Sequence, residues 1–226
     1  MIANWKVSAY LRSPLAGDPP FLDSILAYEL ALRLGYKHAR KLTRDIPMSQ
    51  IESVPIPITQ KTLNGIDIFC CSDPIMSPVL SEWIDHLVKR FDSDLVSLML
   101  NPNQLKMLLT SSGPYKSKFD PMRIRLIERV TWFVRGDRKE INKLAKKIIA
   151  IGKRRNIGYG IIDKWEYEEM ENDFSIFAPQ NGQKVLMKTI PIVSVPSGVK
   201  GYVRSYGGGV MPYWHPENYM EIARPC

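Results

Sequence analysis

The chain has 226 residues, 45% of them hydrophobic and 24% charged, which suits one large domain or two small ones around a sizeable core. No apolar run reaches the roughly 18 residues that a membrane helix needs, and three histidines and three cysteines without a CxxC argue against a zinc site. The net charge is +8, a sign that suits nucleic acid, anionic membranes and acidic proteins alike.

The opening "MIANWKVSAYLRS" alternates like a strand, with Trp5, Val7, Ala9 and Leu11 on one face and no continuous apolar signal core. We expect a soluble, unexported protein in a reducing, cytoplasmic compartment. "SPLAGDPP" breaks the strand. Then "FLDSILAYELALRLG" predicts an apolar-rich helix that Gly35 stops. Basic residues follow in "YKHARKLTR". Residues 54 to 71, "VPIPITQKTLNGIDIFCC", read as a hairpin turning at Asn64-Gly65, with Pro55 and Pro57 marking an edge strand. Cys70 and Cys71 are neighbours on a strand, so they point to opposite faces and do not pair.

"SEWIDHLVKRF", 81 to 91, predicts a helix carrying Trp83, Leu87, Val88 and Phe91, and residues 92 to 122 read as irregular. Residues 124 to 134 predict a strand. "RGD" then makes a strand-to-helix turn with Asp137 near the helix N-terminus. A helix follows over 138–151, with Ile141, Leu144, Ala145 and Ile148 on its inner side, and Gly152 ends it. Asn142, Lys143, Lys146 and Lys147 fall away from that stripe. A strand over 159–168, a strand at "TIPIVSV" and a glycine- and aromatic-rich tail complete the chain. The order is strand, helix, strands, strand, helix, strand. That predicts an α+β, ferredoxin-like βαββαβ fold, RNA-recognition-motif-like, with a long insertion and a C-terminal β-rich extension. The expected division is residues 1–177, with an inserted segment at about 72–122, and residues 178–226 packed on the same domain.

Charge is segregated along this order. Residues 135 to 155 hold nine basic side chains against Asp137 and Glu140, and residues 163 to 173 hold six acids against Lys164. A focused basic patch is the usual footprint of nucleic-acid binding. Its sharpest point is "IGKRRNIGYG", 151 to 160. Gly152, Gly158 and Gly160 let backbone approach a sugar-phosphate chain, Lys153, Arg154 and Arg155 suit phosphates, and Tyr159 suits stacking on a base. The competing reading is a solvated, charged turn with glycines for geometry. The pattern fits neither a P-loop nor a dinucleotide-binding turn. "SSGPYKSKF", 111 to 119, adds a second basic-aromatic stretch in Tyr115, Lys116, Lys118 and Phe119, or else an exposed loop with an aromatic anchor. His215, in "YWHP", is the most attractive general base, yet no nearby serine, cysteine or carboxylate completes a hydrolytic set. The acidic run reads as a solvated strand edge rather than a metal site.

Taken in order, "SPLAGDPPFLDSILAYELA", "SGPYKSKFDPM", "VTWFVRGDRKEINKLAKKIIAIGKRRNIGYGIIDKWEYEE", "DFSIF" and "PYWHPEN" resemble the five-prime-handle-binding RAMP subunit of type IV CRISPR effector complexes. The resemblance covers most of the chain and is weakest over residues 37–52 and 178–200. It implies a ferredoxin-like RNA-recognition fold with an inserted thumb that reaches a neighbouring backbone subunit. It implies a subunit that holds the 5′ handle of the guide RNA, caps the backbone filament and contacts the large subunit. Such a subunit can also help read the DNA motif beside the target.

Mapped here, "GKRRNIGYG" corresponds to the family's glycine-rich, RNA-contacting loop, and Lys116 and Lys118 lie in the matching "GPYKS" stretch. No catalytic role, metal or cofactor is implied, because a separate nuclease processes the guide. The thumb, part of 92–122 with Tyr115, Lys116 and Lys118, is expected to be mobile when free and ordered in the complex. Two alternatives stand beside this reading. One is a guide-processing endoribonuclease of the same fold, with His215 or Tyr159 as acid or base. The other is a basic adaptor for acidic proteins or membrane.

Overall fold

The computed structural model describes residues 1–36, 46–51, 53–89, 98 and 116–226. Among the described residues there are twelve strands and two α-helices. The strands are β1 (Ile2–Leu11), β2 (Leu15–Ala16), β3 (Gln60–Leu63), β4 (Ile66–Phe69), β5 (Ile75–Lys89) and β6 (Lys118–Asp137), followed by β7 (Ile162–Met170), β8 (Phe177–Gln180), β9 (Gln183–Leu186), β10 (Ile190–Pro191), β11 (Tyr202–Gly208) and β12 (Tyr219–Pro225). The helices are α1 (Leu22–Leu34) and α2 (Arg138–Ala145). The protein is a mixed α+β molecule dominated by antiparallel strands. No described helix is long and apolar enough to cross a membrane.

The central sheet runs β7-β1-β6-β5, every neighbour antiparallel. β2 pairs Leu15 with Arg125 of β6, while β5 pairs Glu82 with the same residue from the opposite edge. Trp5, Val7 and Ala9 of β1 stand beside Val134, Trp132 and Val130 of β6, so the alternation that predicted the strand fixes its inner face. That face packs on Leu22 and Leu26 of α1 and on Ile141 and Leu144 of α2, in one hydrophobic core. Both helices therefore lie on one side of the sheet. The opposite face carries Lys6, Tyr10, Arg129 and Lys164, with Ser8 bonded to Thr131 at 3.0 Å.

Local signals set the helix ends. Gly35 closes α1 in the left-handed conformation, its φ being 72°. The Asp137 carboxylate accepts from the Lys139 and Glu140 amides and caps α2. Beyond Ala145 the chain tightens into short-range turns, with Ile148 donating to the Ala145 carbonyl. The expected helix over 138–151 is therefore cut short, because the β-branched Ile148, Ile149 and Ile151 run on as extended chain that bridges Ala150 to Ile161. Gly152 ends this extension and not the helix.

Two further expectations need correction. Residues 81 to 89, expected as the first part of a helix, are the second half of β5, paired from Ser81 against Leu126 through Lys89 against Lys118. So the tract from 72 to 122 contributes a full strand to the central sheet. "TIPIVSV" is extended only at Ile190–Pro191 before a short 3-10 turn over Ile192–Ser194. The hairpin turn at Asn64-Gly65 forms as the sequence predicts, both residues at positive φ, but its arms are only β3 and β4, and Pro55 and Pro57, expected on an edge strand, lie outside them.

The C-terminal strands make a separate three-stranded sheet, β10-β12-β11, beside the β8-β9 hairpin. Residues 188 and 189 join them to the first half of the chain through polar links. Thr189 donates its amide and hydroxyl to Asp73 at 2.8 and 2.6 Å. Lys188, 2% exposed, donates to Asp23 of α1 at 2.9 Å. Cys70 and Cys71 are buried and unpaired, and Cys226 is exposed.

Candidate nucleic-acid interface

The loop over residues 151–160 is built by its glycines and by the chain it leans on. The Ile151 amide donates to the Gly160 carbonyl at 2.9 Å and shuts the base of the loop. The amides of Lys153 and Gly160 donate to Ala16 and Pro14 at 2.8 Å each, which pins the loop to β2. Gly160 sits at φ 63°, where a Cβ would fall 1.9 Å from the Ile151 carbonyl oxygen. At Gly152 the same atom would fall 2.6 Å from Leu15 Cδ1. These two glycines are required by close packing within the protein. Gly158, at φ 96°, faces open space, so its freedom serves the turn alone.

This rigid frame presents Lys153, Arg154 and Arg155 side by side and exposed. The Lys153 stem lies along Gly17, leaving its ammonium outside. Arg154, itself in the left-handed conformation, pairs with Asp120 of β6 at 3.0 Å. Lys118 lies two residues from Asp120 and hence on the same face of β6. The structure thus brings the basic loop to the foot of the β5-β6 hairpin, where Lys116 and Lys118 also stand exposed. Tyr115 falls outside the described residues.

Tyr159 is placed differently from the sequence reading. It is half-buried against Ala16, Met122 and Ile124, and its hydroxyl donates to Asp85 at 3.0 Å. That bond to a carboxylate raises the phenol's pKa above its ordinary value. The ring therefore braces the loop against the hairpin. On the opposite face of the hairpin the His86 and Phe119 rings stack at 4.7 Å, with Phe119 67% exposed. The sequence places Phe119 in the basic-aromatic stretch 111–119 and His86 in a helical context, whereas the strand pairing of Val88 with Phe119 that brings the two rings together is long-range.

Lys143, Lys146 and Lys147 are exposed on α2 and the turn beyond it. Among the described residues no ion pair links them to the loop, and Lys143 sits 3.5 Å from Glu140. They widen the basic surface without joining the cluster. His215 is 2% exposed, with Nε2 at 2.7 Å from the Ile46 carbonyl and Nδ1 accepting from the Glu217 amide. Both ring nitrogens are engaged, Nδ1 in capping the turn over Pro216–Asn218 and Nε2 in holding Ile46. The acidic run is strand β7, where Glu168 pairs with Lys6 and Glu166 with Lys164.

What the arrangement can do is hold a polyanion: three adjacent exposed cations on a fixed backbone and two more at the hairpin foot. No curated protein matches the chain. The family model described as "CRISPR type IV associated protein Csf3" matches residues 80–225, a span that includes most of β5, all of β6, the basic loop and the C-terminal strands. That match extends over more than half of the sequence, and the chain belongs to the Csf3 family of type IV CRISPR-associated proteins.

Proposed function

We propose that this protein is the non-catalytic subunit of a type IV CRISPR ribonucleoprotein that binds the 5′ handle of the guide RNA, caps the backbone filament and contacts the large subunit. The observation that carries the proposal is the Lys153-Arg154-Arg155 triplet, held exposed on a glycine-built loop within the span that matches the family. The antiparallel order β7-β1-β6-β5, with α1 and α2 on one face, supports a ferredoxin-like βαββαβ reading of the core. In that reading the segment between Lys89 and Lys118 is the insertion. Its expected ordering on assembly concerns residues that lie mostly outside the described ones.

A guide-processing nuclease is disfavoured by the two side chains that would serve it. His215 is enclosed and hydrogen-bonded on both nitrogens. Tyr159 is anchored to Asp85 with a raised pKa, which makes it a poor base.

The test is binding of single-stranded handle RNA across a salt series. Removing one phosphate-binding cation flattens the slope of log affinity against log salt by about 0.7. The folded Lys153→Ala/Arg154→Ala/Arg155→Ala variant is expected to bind more weakly, with a slope shallower by about 2. An unchanged slope would remove the proposal. RNA recovered uncut by the wild type is the expected companion result. A single defined cut abolished by Tyr159→Phe would favour the nuclease.

A further inference from the structure

A second feature begins a few residues along the chain from Gly17, at Pro20 and Phe21. A cleft of about 530 Å³ opens between the outer side of α1, the β3-β4 hairpin and the turn over Met211–Trp214. Its walls carry six aromatic rings: Phe21, Tyr28, Tyr36, Phe69, Tyr213 and Trp214. Tyr28 is 48% exposed and the other five are half-buried, Phe69 also packing against the main core. A volume of this size is typical of small-ligand sites.

Behind Phe21 and Tyr213 of the cleft wall lies a buried charge network that the proposed RNA-binding surface does not use. Asp23, wholly buried in the first turn of α1, accepts from Lys188 at 2.9 Å and from the Tyr213 hydroxyl at 2.7 Å. The Lys188 ammonium sits 5.6 Å from the Tyr213 ring centroid and 5.8 Å from that of Phe21. The two rings lie 5.0 Å apart. Two aromatic walls are therefore clamped from beneath by one ion pair. A buried pair of this kind gains little stability over apolar packing, but it fixes geometry. Rings held before a ligand arrives lose little freedom on binding it.

We propose that this aromatic cleft receives an unstacked base of single-stranded RNA. The inference rests on the proposed RNA-binding reading and adds a base site to its phosphate site. Rings are what unstacked bases seek, since every base offers a π-face. The placement suits the same strand: the Lys153 stem packs on Gly17, and the four residues from Gly17 to Phe21 span at most about 14 Å. A strand whose phosphates engage Lys153, Arg154 and Arg155 reaches the cleft within a few nucleotides. An apolar side chain of a protein partner is the rival occupant. The cleft's lining favours a flat ring system over it.

The experiment uses the full chain, single-stranded RNA octamers of the repeat-derived handle, and the same octamers carrying one abasic position at a time. Tyr28→Leu and Trp214→Leu, both at partly exposed rings, are checked for folding by circular dichroism. Each is expected to weaken RNA binding on the order of ten-fold with the salt slope unchanged, because stacking is removed while the phosphates stay bound. One abasic position should weaken the wild type equally and abolish the difference between wild type and variant. Unchanged affinity in both folded variants, while the cation triplet still flattens the slope, would overturn the cleft and leave the RNA-binding reading standing. If the triplet variant also binds normally, both readings fall. Unaltered RNA binding with failed assembly onto the other complex subunits would assign the cleft to protein and overturn the proposal.

Discussion

Lys188 shows how much one buried charge commits. Burial alone would drive its pKa down, but the attraction of Asp23 outweighs that and holds it well above 10.5. Burial and the same carboxylate push Tyr213 well above 10.0. Both groups keep their protons in the folded state at pH values where the unfolded chain releases them. Their contribution is complete below about pH 10 and is lost as the pH rises further. We expect urea-unfolding stability to fall above about pH 10 in the wild type, and less steeply in an Asp23→Asn/Lys188→Met variant. Lys188→Met alone strands a buried carboxylate and should cost about 3–5 kcal/mol. The double variant should recover most of that loss, and equal losses in the two would refute the pairing. Gly160 tests the loop in the same way. With Ile151 in the path of any Cβ, Gly160→Ala should destabilise by several kcal/mol, whereas Gly158→Ala, facing open space, should cost about 1 kcal/mol.

At the level of elements, the β5-β6 hairpin departs furthest from local expectation. Trp83, Leu87 and Val88 have helical spacing, yet the segment is strand. The residues that settle it, Phe119 to Leu126, lie over thirty positions away and supply a partner edge that no local window contains. Along β5, Val79, Leu80, Trp83, Ile84 and Val88 are 41% to 65% exposed, so their apolar character contributes little to the stability of the sheet. Ile84→Lys should therefore shift the unfolding free energy by less than about 0.5 kcal/mol. Trp132→Ala, at a site with no exposure, should cost about 3–5 kcal/mol. Chemical denaturation of both variants checks the contrast. A large loss at Ile84 would mean that another part of the chain covers the hairpin.

Across the whole molecule, the C-terminal strands are tied to the central sheet by buried polar links as well as by packing. Thr189 to Asp73, the Asp73 amide to the Met187 carbonyl, Lys188 to Asp23 and Tyr213 to Asp23 all run from the C-terminal part to α1 or to the link that leads into β5. We propose that residues 178–226 fold with residues 1–177 as a single cooperative unit. Thermal unfolding followed by far-ultraviolet circular dichroism and by tryptophan fluorescence should then give coincident transitions. Trp132 reports the central sheet and Trp214 the C-terminal turn, and two separated midpoints would divide the unit.

Sequence alone determined the elements whose signals are local. Alternation gave β1, the helical stripe with its glycine stop gave α1, Asn64-Gly65 gave the hairpin, and Asp137 gave the start of α2. It also determined that three cations stand together in a glycine loop, because adjacency in the chain is adjacency in space. Tertiary structure decided whatever depends on partners distant in sequence. It turned 81–89 into a strand, drew Tyr159 onto Asp85 and away from solvent, and enclosed His215 against Ile46. It also buried Asp23 with Lys188, 165 positions apart. Asp23 in a helix's first turn reads as a simple dipole complement, and Lys188 as one lysine in an apolar stretch. Their meaning comes from desolvation and mutual attraction, which exist only once the chain has brought them together.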